Sequence, residues 1–142
     1  LWKISYIKEM MEDAGFKQIR FIEWIKTNPV PINSKRNYLT NAREVALLGV
    51  KVGKPTFHSK YDNAIYRYAI CQDKGRFHPT QKPLKFMEAL IEKHSNPGEI
   101  VVDTFAGSAT TLLAASKLGR GYMGCELDPD CYAKALDRMN KA

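Results

Sequence analysis

The stretch VVDTFAGSATTLLAA (101–115) sets an acid, Asp103, at the end of an apolar run. Thr104, Phe105, Ala106, Gly107, Ser108 and Ala109 follow, and then an Ala/Leu segment of helical character. At the carboxyl end of a parallel strand a ligand reaches the backbone only where side chains are small, and the N–H groups of the following helix are then exposed to it. Glu126 stands 19 residues beyond Gly107. A carboxylate about 20 residues past such a turn can accept hydrogen bonds from both hydroxyls of a ribose. Gly107 is alone in the turn, without the glycine series of a dinucleotide site, and a pyrophosphate needs a closer backbone approach than that. The pattern points to an adenosine-type ligand lacking a pyrophosphate and disfavours a nicotinamide-dependent oxidoreductase. A tight strand-to-helix turn that serves packing alone is the competing reading.

The elements that must position these residues follow from periodicity. EIVVD (99–103) is a short buried strand, ATTLLAASKL (109–118) a helix closed by Gly119, and YMGCE (122–126) the next strand. Asp128-Pro129 caps and opens a last helix with Cys131, Tyr132, Ala135, Leu136 and Met139 inward. Strand, helix, strand, helix over 99–141 is a βαβα unit with a parallel pair and a right-handed crossover. Upstream, Pro83 opens a helix with Leu84, Met87, Leu90 and Ile91 on one face to about Ser95, and Asn96-Pro97-Gly98 forces a turn. Helix one covers 4–14 and stops at Gly15. FKQIRFIEWI (16–25) is a strand that buries Ile19, Phe21 and Glu23 on one face and partly buries Arg20, Ile22 and Trp24 on the other. Residues 27–41 are a loop. EVALLGVKV (44–52), nearly continuous in apolar residues, is a strand interior to its sheet. From Gly53 to Gly75 no period persists, while Phe57, His58, Tyr61, Tyr66 and Tyr68 are interleaved with Lys54, Lys60 and Arg67. That mixture suits stacking and phosphate contact, and equally aromatics that anchor a long loop.

The 142 residues, 44% of them hydrophobic, suffice for one domain, 1–142, with a real core. No apolar run reaches the roughly 18 residues that span a bilayer, and no signal-peptide layout opens the chain, so no membrane partner is expected and the cytoplasm is the default location. Cys71, Cys125 and Cys131 are odd in number and form no C-x-x-C pair, which indicates neither a disulfide framework nor a metal site. The net charge of +7 is unevenly spread: 26–85 carries 12 Lys/Arg against three acids, and the remainder carries a slight acidic excess. A basic excess gathered in one segment suits a polyanion, of which nucleic acid is the commonest. Lys35, Arg36, Arg43, Lys60 and Arg67 are the candidate DNA contacts, and 76–142 is the candidate cofactor segment.

One further motif, RFHPTQKP (76–83), completes a pattern: HPTQKP, then DTFAGSATT, then GYMGCELDPDCYAKALDRM, in that order. With weaker likeness in GFKQIRFIEWIKTNPVP and REVALLGVK, the sequence resembles the carboxyl-terminal portion of the β-group DNA amino-methyltransferases over nearly its whole length. The resemblance implies a Rossmann-like α/β fold with a mostly parallel sheet, S-adenosylmethionine as cofactor, and methyl transfer to adenine N6 or cytosine N4 of DNA. It implies that Asp103, Phe105, Ala106, Gly107 and Ser108 line the methionine and ribose part of the cofactor, that Thr110 sits beside them, and that Glu126 holds the ribose hydroxyls. His78, Pro79, Thr80 and Lys82 would flank the methionine end, for which a lysine and a hydroxyl are apt. Two departures stand out. Ala109 occupies a position where the family usually has Gly, and the D/S/N-P-P-Y/F/W loop that receives the target amino group is not in this sequence. The expected sheet is therefore incomplete, with 44–51 and 99–103 each lacking an inner neighbour. Such edges are expected to pair with a second copy or with one another. The alternative function is a noncatalytic nucleic-acid-binding module on a Rossmann-like scaffold.

Overall fold

The computed structural model describes residues 3–30, 40–71 and 75–141. Lys35 and Arg36 lie outside them. The chain divides into two compact units, residues 1–55 with 59–68, and residues 56–58 with 69–142.

In the amino-terminal unit, α1 (Ile4–Asp13) leads into β1 (Lys17–Lys26), and Gly15 between them takes a φ of +86° that closes the helix. β2 (Arg43–Val50) runs antiparallel to β1, and β3 (Ile65–Tyr68) pairs parallel on its other side, giving the order β2-β1-β3. Three expectations change here. The buried face of β1 carries Ile22 and Trp24, not Phe21, which is 57% exposed. Trp24 shares a ladder row with Tyr66 and donates its indole N–H to the Tyr68 carbonyl at 2.9 Å, so the polar tip of the large side chain is satisfied within the sheet. β2 is an edge strand among the described residues, not an interior one. The segment 53–75 is not wholly irregular, because IYRY forms β3 and buries Tyr66. Gly49 of β2 is held close to α1: a Cβ there would stand 2.9 Å from Met11 Cε and 3.3 Å from Phe16.

In the carboxyl-terminal unit, α2 (Leu84–His94), β4 (Ile100–Asp103), α3 (Thr110–Lys117), β5 (Gly121–Gly124) and α4 (Pro129–Asn140) follow one another as expected, and β4 and β5 are parallel. Asp128 caps α4 by accepting from Cys131 N at 2.7 Å. Ile91, Ala114 and Ala115 form the core between α2 and α3, with Leu84, Met87, Val101 and Leu118 packed against them. Small alanines let the helices approach the strand closely. Alternation puts Val101 and Gly124 on this covered face and Ile100, Val102 and Met123 on the other. Those three are 68%, 58% and 62% exposed, so the second face of the β4–β5 pair is bare. Both faces of a parallel sheet are ordinarily covered. Direct pairing of 44–51 with 99–103 is not made among the described residues: the two strands belong to separate sheets. Tyr132 and Leu136, expected inward on α4, are about half exposed, at 51% and 49%, while Ala135 is buried.

Candidate functional site

β4 delivers Asp103 to its carboxyl end, where Asp103 Oδ1 accepts from Phe105 N at 3.1 Å and so folds the chain away from the strand. The loop then runs across the end of β5. Cys125 N donates to Asp103 O at 3.0 Å, and Ala106 N donates to Cys125 O at 2.8 Å, which continues the parallel ladder past both strands. Ala109 closes the loop as the residue before α3, in the left-handed region at φ 57°, ψ 27°, and only 2% exposed.

Glu126 is drawn into this loop. Its Oε2 accepts from Gly107 N at 2.7 Å and its Oε1 from Asp128 N at 3.0 Å. Those backbone N–H groups, Asp128 first and Gly107 second, hold the carboxyl below the usual carboxylate range. Each oxygen keeps a further lone pair for a ligand hydroxyl. The loop N–H groups expected to stand exposed are instead spent inside the protein: Gly107 on Glu126, Ala106 on Cys125, and Ala109 on the Ala106 carbonyl at 2.8 Å.

The HPTQKP segment adjoins the loop, since a Cβ on Gly107 would stand 3.9 Å from His78 Cε1. His78 Nδ1 accepts from Thr80 N at 3.3 Å and lies 3.1 Å from Thr80 Oγ1, so the imidazole orients the turn. Arg76 clasps the same turn through the His78 and Pro79 carbonyls. Gln81 is buried; its amide nitrogen contacts Cys71 Sγ at 3.3 Å, and its Oε1 has no hydrogen-bond partner. Lys82 is half-buried.

The remaining predicted residues divide. Phe105 is 88% exposed at the loop tip. Ser108 and Thr110 are buried, with hydroxyls 3.1 Å apart, and Arg138 of α4 donates to Ser108 O at 2.8 Å and to Thr110 Oγ1 at 2.9 Å. Arg138 thus ties α4 to the loop and the start of α3, a role the sequence reading missed. Beside Glu126 a cavity of about 260 Å³ is lined by Ala106, Tyr122, Cys125, Tyr132, Leu136 and Met139, among others. One acid at the rim of an apolar, aromatic-lined cavity suits a nucleoside. Of the candidate DNA contacts, Arg43, Lys60 and Arg67 are exposed and belong to the amino-terminal unit. Among the described residues no group of three His, Cys, Asp or Glu could hold a metal ion, and no helix is long and apolar enough to cross a membrane.

The arrangement is that of a Rossmann-like α/β domain with the small-residue loop and Glu126 at the carboxyl ends of β4 and β5. Comparison with known proteins carries the class to a family. The chain belongs to the DNA methylase family of N6/N4 methyltransferases, whose model matches residues 3–137. It is 30% identical to the Type II methyltransferase M2.LlaDCHI of Lactococcus lactis subsp. cremoris over 99% of this chain and 58% of that protein. It is 31% identical to the Type II methyltransferase M.HinfI of Haemophilus influenzae over 99% of this chain and 44% of that protein. The chain therefore spans about half the length of these curated relatives. Among solved structures, an M1.HpyAVI–SAM complex superposes with a TM-score of 0.80 at 38% identity over 96% of this chain and 69% of that one. The cytosine-N4-specific PvuII DNA methyltransferase, 20% identical with a TM-score of 0.77 over 96% of this chain and 56% of that one, shares the fold.

Proposed function

We propose that this chain binds S-adenosylmethionine at the 103–110 loop and contributes that site to methylation of an exocyclic amino nitrogen in DNA, adenine N6 or cytosine N4. The observation that carries the reading is Glu126: a carboxylate fixed by two backbone N–H groups, kept ionised, and set between the small-residue loop and an apolar cavity. Glu126 takes the ribose hydroxyls, the cavity takes the adenine, and Asp103, Phe105, Ala106 and Gly107 border the remainder. His78, Pro79, Thr80 and Lys82, brought against the loop at Gly107, border the methionine end. Ser108 and Thr110 act from beneath, through Arg138. When bound, the cofactor supplies an electrophilic methyl group, and the residues of this chain hold and orient it. No residue of this chain is assigned to receive the target base.

DNA is the macromolecular substrate, met by the basic 26–85 segment, and the cytoplasm is the inferred location. The bare β4–β5 face and the second edges of β4 and β5, unpaired among the described residues, support self-association of the isolated chain. Isothermal titration of the full chain with S-adenosylmethionine tests the cofactor reading. Glu126→Ala is expected to weaken binding about ten-fold or more, as for loss of a charged acceptor, and equal affinities would remove Glu126 from the ribose.

A further inference from the structure

The strand that sequence periodicity missed, β3, carries an inference that rests on the reading of this chain as DNA-modifying. Residues directly opposite in a ladder share a sheet face. Ile25 of β1 is paired with Arg43 of β2 on one side and with Arg67 of β3 on the other. The two guanidinium groups therefore rise from one face at one level, with their backbones two strand spacings, about 10 Å, apart. Main-chain hydrogen bonds from Lys26 N to Ala42 O at 2.8 Å and from Thr27 N to Tyr68 O at 3.2 Å tie the three strands together at this level. The separation is thus set by the sheet.

Both side chains are exposed. The other described arginines spend their guanidinium groups on protein acceptors: Arg20 on Ile19 O, Arg76 on His78 O, Arg120 on Ser95 and Arg138 on Ser108 O. Arg43 and Arg67 have no hydrogen-bond or ion-pair partner among the described residues. Glu44, one residue from Arg43 and on the opposite face, is taken by Lys26 Nζ at 3.0 Å. Glu23 shares the face of the arginines but stands one row behind, about 7 Å along β1, and forms no ion pair among the described residues. Two unneutralised planar forks at a fixed spacing, at the rim of a sheet, match the oxygens of a polyanion better than a scatter of mobile lysines does.

We propose that Arg43 and Arg67 form a two-point clamp on two phosphates of the DNA backbone, which sets the register of the duplex on the amino-terminal unit without reading sequence. Fluorescence anisotropy of the full chain with a labelled duplex, over a series of salt concentrations, tests it. The expected result is that Arg43→Gln and Arg67→Gln each flatten the log–log salt slope by about 0.9 and the double variant by about 1.8. Arg43→Lys and Arg67→Lys should keep the slope and lose affinity, because the charge remains and the fork does not. Glu23→Gln should tighten binding. Circular dichroism and thermal melting of the same variants, expected to match wild type, show that they are folded. A wild type that binds duplex together with arginine variants of unchanged slope and affinity overturns the clamp alone. A wild type that does not bind duplex at low salt overturns the DNA reading and the clamp with it.

Discussion

Gly124 is the last residue of β5, two positions before Glu126, and its missing side chain is what lets α3 lie on the strand. A Cβ there would stand 2.6 Å from Leu112 Cδ1, 3.2 Å from Leu112 Cδ2 and 3.0 Å from the Asp103 carbonyl oxygen. Leu112 can swing, but the carbonyl belongs to β4 and accepts from Cys125 N, so it cannot yield without opening the ladder. Forcing one methyl group into such a gap costs about 1–3 kcal/mol. Gly124→Ala should therefore lower the melting temperature by about 3–10 °C and weaken the cofactor, because Glu126 moves with the strand. Gly75→Ala is the control: nothing among the described residues lies within 4 Å of where its Cβ would stand, and the substitution should be neutral or slightly stabilising. Leu112→Ala alone should cost about 2–5 kcal/mol. Combined with Gly124→Ala it should cost less than the sum of the two, since the truncated side chain vacates the space the new methyl needs. Thermal and urea denaturation measure all four proteins. A Gly124→Ala variant that melts with wild type, or strict additivity in the double variant, would refute the packing of α3 on β5.

Three other outcomes follow from the same geometry. Arg120 is buried and donates to Ser95 Oγ, Ser95 O and Leu118 O at 3.1, 2.8 and 2.6 Å, so Arg120→Met should destabilise by about 2–4 kcal/mol through stranded acceptors; a urea midpoint within error of wild type would contradict this. Backbone donors depress the Glu126 pKa, so its contribution to loop order and cofactor affinity is complete above the ordinary carboxylate pKa and disappears as pH falls through the lower folded-state value. Calorimetry across acid pH should show affinity falling there in wild type and not in Glu126→Gln, whose affinity is low throughout. Met123→Lys places a charge on the bare β4–β5 face and should reduce self-association in light scattering while leaving the melting temperature near wild type; unchanged scattering would exclude that face.

The carboxyl-terminal unit was legible in the sequence because its signals are local. Val101 and Val102 before Asp103, Gly119 after the alanine run, and Asp128-Pro129 each mark a boundary within a few residues of where it falls. The amino-terminal sheet was less legible. β3 is four residues long and owes its existence to pairing with β1 some forty residues earlier; Asp62-Asn63, whose side chains accept from Ala64 N and Ile65 N, was the local turn signal just before it. Phe21 and Trp24 lie on opposite faces of a strand that is apolar on both, so only the tertiary partners Tyr66 and Tyr68 decide which is buried. Arg138 escaped notice because arginine is scored as surface. Its place one helical turn past Ala135 and two past Cys131, on the stripe that faces the loop, was the available signal. Family resemblance supplied the candidate cofactor residues; of these, Ala106 and Glu126 line the cavity, while Ser108 and Thr110 are buried and held by Arg138.

Ala109 also bears on how this chain can vary. Its backbone is left-handed, which every side chain with a Cβ resists by about 1–2 kcal/mol and which β-branched residues resist most. Asn and Asp, which elsewhere tolerate that conformation, would bring polar atoms into a place 2% exposed among Leu112, Ala135, Phe77 and Met139. The conformation excludes one set of residues and the burial excludes the other. In a saturation library the position should therefore accept a two-letter alphabet, alanine and glycine. Selected for folding alone, the same library should tolerate a far wider alphabet four residues away at Phe105, whose side chain is exposed at the loop tip.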